Sequence, residues 1–328
     1  MLLNQPSKSF KLDTVVIQEY KAMRILVTGA TGYAGFYAAI ALRQAGHQVF
    51  GLTRDRDKPR AKQLQQYEVR LAEGNIAKAE SYRQYLEQSD AIVHAMMDFN
   101  DPQETDRTLF KTLQQVAENT KRNRCFVYTT GCSIYGKRPE RVMDETTPAN
   151  PEHKLAFRMD LEQELFNMAI PNCRKVVLRP GFMYGLDGKS SITGMWFGMG
   201  EQGKAIYRGD RQKGWSWVHV NDLAEAYVRV IESGNAIDRE VFCIADEQRH
   251  KCVDIMQACL SATGYDGEIE FAEPDEDDVT SVWFDQNEFI TSQKARYLLG
   301  WTPRHIGVID EIETYYTSWK AAQSNGDK

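Results

Sequence analysis

Short apolar runs alternate with amphipathic stretches along most of the chain, from Met23 onward. The run Ile25-Leu26-Val27 predicts a buried strand, and the apolar stretch 33–45 predicts a helix that ends before Gly46. Further strands are predicted at 49–52, 69–72, 91–95, 125–129 and 175–178, separated by helices near 58–66, 81–88, 105–120 and 155–169. Continuous apolar strands that alternate with helices are typical of an α/β fold with a doubly wound parallel sheet.

The character of the sequence changes after Arg179-Pro180-Gly181. Residues 182–203 are rich in glycine, methionine and aromatic side chains, and beyond residue 244 helices mix with short strands. We predict an N-terminal extension at 1–22, a parallel-sheet domain from 23–181 and 206–244, and a smaller mixed α/β C-terminal lobe from 182–205 and 245–328.

Composition narrows the class of protein. The 328 residues are 42% hydrophobic and 26% charged, with a net charge of −6, so a globular core is expected and a basic nucleic-acid surface is not. No apolar run reaches the roughly 18 residues of a membrane span. The six cysteines form no C-x-x-C pair, so we expect reduced thiols in a cytoplasmic protein, with neither a disulfide framework nor a metal site.

The segment Thr28 to Gly35 reads TGATGYAG and lies between the first predicted strand and the first predicted helix. In this position a G-x-x-G-x-x-G spacing lets the backbone approach a pyrophosphate, which the helix N-terminus then holds. The alternative is a glycine-rich loop without a ligand. The residues expected to form the phosphate site are Gly29, Thr31, Gly32, Tyr33, Ala34 and Gly35.

The residues after the second strand indicate which dinucleotide binds. Arg54 follows Thr53 directly, and a guanidinium suits a 2′-phosphate, whereas a carboxylate would favour the free ribose hydroxyl. Asp55 argues the other way. We favour NADP(H) over NAD(H).

Several further motifs resemble those of extended short-chain dehydrogenases/reductases of the NAD-dependent epimerase/dehydratase family. Besides the TGATGYAG turn, they are Gly74-Asn75-Ile76, Val93-His94-Ala95, Tyr135-Gly136, the run Leu178 to Gly185, Trp217 to Ala224, and Leu298 to Pro303. The resemblance runs from Met23 to about Lys320 and implies a Rossmann-type domain with a smaller substrate lobe. It also implies that the cofactor is lined by Asn75, Ile76, Ala95, Met96, Pro180 and Phe182.

The catalytic residues of that family are missing. Its Ser/Thr position falls on Gly131, and its Tyr and Lys positions fall on Ala156 and Asp160, or on Lys154 and Arg158 if two residues are gapped. The family's dehydratases carry acid/base carboxylates at the positions of Cys132 and Ser133, which therefore come first as catalytic candidates. The complete set of candidates is Cys132, Ser133, Tyr184 and Lys154.

The second lobe bears on the substrate. Members that act on nucleotide sugars carry an Asn and an Arg where this chain has Phe182 or Met183 and Trp215. Nearby aromatic and thioether side chains either pack between the lobes or line an apolar pocket. If they line it, we expect an atypical NAD(P)(H)-dependent oxidoreductase or epimerase-like enzyme for a small apolar or aromatic carbonyl or alcohol metabolite. The alternatives are a catalytically silent NADP(H)-binding sensor or scaffold, a non-redox lyase or isomerase, and, as to assembly, a monomer or a homodimer.

Overall fold

The computed structural model describes residues 22–137, 142–188, 190–277 and 279–324. The N-terminal extension predicted at 1–22 lies outside the described residues except for its last residue. Strands and helices alternate through the first half of the chain, as the apolar runs predict. They are β1 (Arg24–Thr28), α1 (Tyr33–Gln44), β2 (Gln48–Thr53), α2 (Pro59–Gln66), β3 (Arg70–Glu73), α3 (Ala79–Gln88), β4 (Ala91–His94), α4 (Pro102–Glu118), β5 (Arg124–Thr129), α5 (Phe157–Asn167) and β6 (Cys173–Pro180).

Shorter elements follow in the second half. They are β7 (Phe182–Tyr184), α6 (Ile192–Glu201), β8 (Ile206–Arg208), β9 (Trp217–His219), α7 (Val220–Glu232), β10 (Glu240–Ile244), α8 (Cys252–Ala262), β11 (Glu270–Ala272), α9 (Val279–Trp283), α10 (Gln293–Leu299) and α11 (Ile312–Ser324).

Seven strands form one parallel sheet in the order β10-β6-β5-β4-β1-β2-β3. Helices α1 and α7 pack together on one face, and α3, α4 and α5 pack together on the other. Both faces are covered because the strands are apolar throughout, as in β4, where all four residues are buried. The predicted Rossmann-type doubly wound sheet is confirmed.

A second group of apolar side chains packs outside the large sheet. Trp196 on α6, Trp217 on β9 and Met256 on α8 belong to one buried cluster, beside the two-stranded pairs β7-β9 and β8-β11. Part of this cluster comes from residues 182–203, the stretch described above as rich in aromatic side chains. The domain boundaries given above stay a prediction.

Three further observations concern the described part of the chain. All six cysteines are free and buried. No group of three His, Cys, Asp or Glu side chains placed to hold a metal ion occurs among the described residues. None of the described helices has the length and apolar character needed to cross a membrane.

Candidate functional site

The turn between β1 and α1 passes so close to its neighbours that a side chain would not fit at Gly29 or Gly35. Gly29 has a φ of +72°, and a Cβ there would lie 2.6 Å from the carbonyl oxygen of Ala95, at the end of β4. A Cβ on Gly35 would collide with the carbonyl group of Gly29. The glycines therefore let α1 begin directly at the edge of the sheet.

The N-terminus of α1 offers backbone donors to an anion. Gly32 precedes the helix and supplies no side-chain cap, so the N–H groups of the first turn keep their hydrogen-bonding capacity. The helix dipole favours negative charge at the same point. Backbone cradle and dipole fit the diphosphate of a dinucleotide, with Thr31 and Ala34 half-buried beside it. The Tyr33 side chain has another role, because its hydroxyl donates to the Gly185 carbonyl at 2.5 Å and ties the turn to the loop after β7.

The remaining predicted cofactor residues lie where parallel strands end at the same edge. Asn75 and Ile76 follow β3, Ala95 and Met96 follow β4, and Pro180 ends β6 just before Phe182 opens β7. The strand order reverses between β1 and β4, and ligands of doubly wound sheets bind in the crevice at such a point. The Asn75 side chain accepts the N–H of Ala77 at 3.1 Å, so it shapes the turn after β3.

Arg54 lies at the carboxyl end of β2 and is exposed. Its guanidinium forms no hydrogen bond or ion pair with the described residues. The neighbouring Asp55 is engaged locally, since its carboxylate accepts the N–H of Asp57 at 2.8 Å. The cation is thus available to a ligand, whereas the competing carboxylate is held within a turn.

Cys132 and Ser133 open a short 3₁₀ turn after β5, and both contact a carboxylate from a distant part of the chain. The Ser133 hydroxyl donates to Glu288 Oε2 at 2.8 Å, and Cys132 Sγ lies 3.4 Å from the same oxygen. Glu288 is fully buried, and burial raises its pKa to about 7. Burial raises the pKa of the Cys132 thiol well above its usual range, so that thiol stays protonated. Glu288 was not among the sequence candidates.

A cation also reaches the end of β5, from the start of α5. Arg158 is buried, its Nη2 donates to the Thr129 carbonyl at 2.6 Å, and its Nη1 lies 2.9 Å from Met97 Sδ. Of the two alignments considered above, the gapped one therefore places a buried cation, Arg158, at the family's Lys position. Lys154, at the Tyr position of that alignment, is exposed.

Tyr184 lies on β7 but is fully buried, and its hydroxyl points to Asp246 at 3.4 Å. Its ring makes edge contacts with His219 and Tyr315. Burial raises the pKa of Tyr184, so the phenol stays neutral. A proton-transfer role for Tyr184 stays a prediction, and in this structure the hydroxyl serves a buried polar contact.

A buried ion pair connects β6 to α5 next to the turn that follows β5. Arg179 on β6 donates through Nε to both oxygens of Glu162 on α5, and both side chains are buried. Thr130 donates to Glu162 at 2.6 Å, and Arg179 also donates to the Tyr135 hydroxyl at 2.8 Å. The pair therefore joins β6, α5 and the segment after β5, which carries Ser133.

Three aromatic rings pack together where the second lobe begins; Phe182 is half-buried, and Trp215 and Trp196 are buried behind it. Phe182 stacks on Trp215 with ring centroids 4.3 Å apart, and Trp215 lies parallel to Trp196 at 6.3 Å. We call these three side chains the aromatic wall. Two residues of this wall, Trp196 and Trp215, also line a cavity of about 270 Å³. Met195, Met199 and Tyr207 are among the other residues that line it.

Three features together define a nucleotide-binding α/β protein: the glycine turn between β1 and α1, the reversal of strand order between β1 and β4, and the parallel sheet. The profile of the NAD dependent epimerase/dehydratase family matches residues 25–245, and the chain belongs to that family.

The relatives are distant in sequence but similar over nearly their full length. An uncharacterized protein of Saccharomyces cerevisiae is 24% identical over 90% of this chain and 99% of its own length. A UDP-glucose 4-epimerase of Corynebacterium glutamicum is 21% identical over 93% of this chain and 98% of its own length. The structure of a dTDP-glucose 4,6-dehydratase from Bacillus anthracis, in complex with NAD, superposes with a TM-score of 0.77 at 18% identity, covering 92% of this chain and 98% of that one. This structural likeness supports the fold.

Proposed function

We propose that the protein is an NADP(H)-dependent oxidoreductase or epimerase-like enzyme for a small, uncharged, apolar or aromatic carbonyl or alcohol metabolite. The observation that carries the proposal is the aromatic wall. Phe182 lies two residues after Pro180, where β6 ends at the edge of the sheet that is expected to bind the cofactor. The Phe182 ring stacks directly on Trp215. A substrate that extends from the cofactor toward the second lobe would therefore meet the half-buried ring of Phe182, with Trp215 packed behind it.

The composition of the wall argues against a nucleotide sugar, although two of the relatives named above, the UDP-glucose 4-epimerase and the dTDP-glucose 4,6-dehydratase, act on such compounds by their names. The family members that bind nucleotide sugars carry an Arg near the position of Trp215. The indole Nε1 of Trp215 donates to the carbonyl groups of Phe284 and Gln286, at 3.0 and 3.1 Å, so it has no donor left for a diphosphate. Of the three cations that line the adjoining cavity, Lys213 is buried and paired with Asp285 at 3.1 Å, Arg208 lies 3.6 Å from Asp275, and Lys204 is exposed.

The preference for NADP(H) rests on Arg54 and Asp55. Arg54 has no partner among the described residues, and Asp55 is occupied within a turn. A planar guanidinium binds a phosphate through charge-assisted hydrogen bonds, which are stronger than neutral ones. The 2′-phosphate of a bound NADP(H) would thus meet the Arg54 guanidinium, which has no other partner among the described residues.

The chain's own residues supply binding and proton transfer. The bound nicotinamide would exchange a hydride with the substrate carbon. The α1 N-terminus holds the diphosphate, and the aromatic wall holds the apolar part of the substrate. The Ser133 hydroxyl, in the turn after β5, is hydrogen-bonded to the Glu288 carboxyl and supplies the proton. A phenol and ammonium pair of the usual kind is absent at the aligned positions, so we expect turnover to be slow relative to that of typical family members.

The test has two stages. NADPH and NADH are first titrated by cofactor fluorescence, and NADPH is expected to bind more tightly. A panel containing benzaldehyde, cinnamaldehyde, acetophenone and UDP-glucose is then assayed for turnover with NADPH or NADP⁺. Turnover of the aromatic carbonyls without that of UDP-glucose supports the proposal, whereas conversion of UDP-glucose contradicts the substrate class.

Two other outcomes identify the alternative functions. Tight NADPH binding without turnover of any panel member would favour the silent sensor or scaffold. Conversion of a substrate without net oxidation of the cofactor would favour the lyase or isomerase. The variant Phe182→Asn, at a half-buried position, restores the Asn of nucleotide-sugar members and is expected to lower the activity on cinnamaldehyde.

A further inference from the structure

Glu288 belongs to the second lobe by sequence, yet its side chain ends on the turn that follows β5. Its N–H donates to the Gly214 carbonyl and its carbonyl accepts from the Ser216 N–H, both at 2.9 Å. These backbone bonds fix the residue on both sides. Oε2 accepts from Ser133 and faces Cys132, and Oε1 accepts from the Gln286 amide at 2.5 Å.

The surroundings of this carboxyl contain no positive charge that would fix it as an anion. Among the described residues, no Lys, Arg or His forms an ion pair with Glu288. The titratable groups that face it are the thiols of Cys132 and Cys252, both held neutral because burial raises their pKa values. His153 is reached only through Gln286, whose amide lies 3.3 Å from His153 Nε2. The carboxyl can therefore carry a proton near neutral pH, which agrees with its pKa of about 7.

Burial separates the two partners into different roles. Glu288 has no exposed surface, so it cannot touch a substrate itself. Ser133 is half-buried and lies in the 3₁₀ turn that begins three residues after β5, at the carboxyl end of that strand. A proton that leaves the Glu288 carboxyl therefore reaches the cleft through the Ser133 hydroxyl.

We propose that Ser133 and Glu288 form a proton-transfer pair, in which Ser133 is the catalytic residue and Glu288 is the buried acid behind it. This inference rests on the proposed function. In the reductive direction, the Ser133 O–H bond breaks as its proton passes to the carbonyl oxygen that becomes the alcohol, and Ser133 takes the Glu288 proton. Glu288 becomes a carboxylate and, once the alcohol has left, regains its proton through the Ser133 hydroxyl, which takes one from water in the cleft. The hydride that completes the reduction comes from the reduced dinucleotide, so one hydride and one proton are consumed per carbonyl. Oxidation reverses each transfer.

If the hydrogen bond between Ser133 and Glu288 had only a structural role, a different result would be expected. A hydrogen bond that only joins the second lobe to the 3₁₀ turn would be retained by a glutamine at 288, which has the same shape and both donor and acceptor atoms. A proton-transfer pair would not, since an amide does not ionise in this range. The conservative variant Glu288→Gln therefore separates the two roles.

The kinetic test uses the reduction of cinnamaldehyde by NADPH in the full-length protein. Ser133→Ala and Glu288→Gln are each expected to lower kcat at least about tenfold, with KM for NADPH unchanged. For the unmodified protein, kcat should fall as the pH rises through about 7, because the acid must be protonated, and this midpoint should vanish in Glu288→Gln. Glu232→Gln serves as control and is expected to leave kcat and its pH midpoint unchanged, since Glu232 is another carboxyl whose pKa is raised by burial but lies on α7, beside His47. A Glu288→Gln variant with full activity and an unchanged pH profile overturns the proposal.

A second readout needs no turnover. Infrared difference spectra report the protonated Glu288 carboxyl, and its carbonyl band should disappear in Glu288→Gln. Cinnamaldehyde added to the NADP⁺-bound protein should shift this band in the unmodified chain and leave it unshifted in Ser133→Ala. If the band shifts without any turnover, the pair stands and the proposed redox function fails. If cinnamaldehyde leaves the band unchanged in both proteins, the pair is wrong whatever the activity.

Discussion

Arg158 Nη2 donates to the carbonyl oxygen of Thr129 at 2.6 Å, which places a buried guanidinium at the end of β5. The Nε of the same side chain is also buried and has no hydrogen-bond partner among the described residues. Unpaired buried donors are uncommon because each one costs free energy, and a ligand oxygen at this point would satisfy it. We predict that a cofactor or substrate oxygen accepts from this donor of Arg158.

Replacing Arg158 by methionine should weaken NADPH binding, because the lost hydrogen bond to a charged donor is worth about 1.5–3 kcal/mol. Fluorescence titration measures the loss. Arg158→Lys keeps a cation and is expected to bind NADPH with intermediate affinity. If Arg158→Met binds NADPH normally and only the melting temperature falls, Arg158 is a structural brace of β5.

Arg54→Ala should lower the affinity for NADPH by about 1.5–3 kcal/mol and leave that for NADH unchanged, because only NADPH carries the 2′-phosphate. Both affinities are measured by cofactor fluorescence. Arg56→Ala is the matched control, since Arg56 is an exposed arginine of the same loop. Equal affinities of the unmodified protein for NADH and NADPH would contradict the preference.

Glu162→Ala should destabilise the fold by about 3–5 kcal/mol, because it leaves the buried Arg179 guanidinium without its anion. Denaturant unfolding gives the free energy. Glu225→Ala, which removes partly exposed ion pairs with Arg229 on α7 and with Arg304, should cost no more than about 1 kcal/mol. Similar losses for the two variants would show that the buried pair is replaceable.

Local sequence predicted the cofactor side of the site well. The glycines of the first turn are set by short-range geometry, since Gly29 must pass the end of β4 and Gly35 must pack on Gly29 itself. Apolar runs likewise predicted six of the seven strands of the large sheet, all but β10, because strands buried on both faces carry that signal along their whole length. These features depend on neighbours in sequence or on a regular pattern.

The substrate side depends on contacts that no local pattern encodes. Ser133 and Glu288 lie 155 positions apart, and nothing near Glu288 marks it as buried beside the turn after β5. Tyr184 belongs to a strand of three residues, too short for its alternation to predict that the hydroxyl would lie against Asp246. Arg158 takes the family's Lys position in only one of the two possible alignments. The sequence does not choose between them, and only the contact of Arg158 with Thr129 favours that alignment.

Glu288 also makes the stability of the fold depend on pH. Its pKa is raised from an ordinary value of 4.5 to about 7 in the folded protein because burial disfavours the carboxylate. The folded state therefore holds this proton more tightly than the unfolded chain. Its contribution to stability is complete below the unfolded pKa of 4.5 and is lost as the pH rises through about 7.

We expect the free energy of unfolding of the unmodified protein to fall relative to that of Glu288→Gln between pH 4.5 and pH 8. The full shift of the Glu288 pKa corresponds to about 3 kcal/mol. Denaturant unfolding of both proteins at each pH measures this difference, in which the other titrating groups cancel. Asp246, whose pKa is also raised to about 7, keeps its own contribution in both proteins, so Asp246→Asn should remove a separate share of the pH dependence. Parallel stability curves for the unmodified protein and Glu288→Gln would mean that Glu288 titrates alike in the folded and unfolded chains.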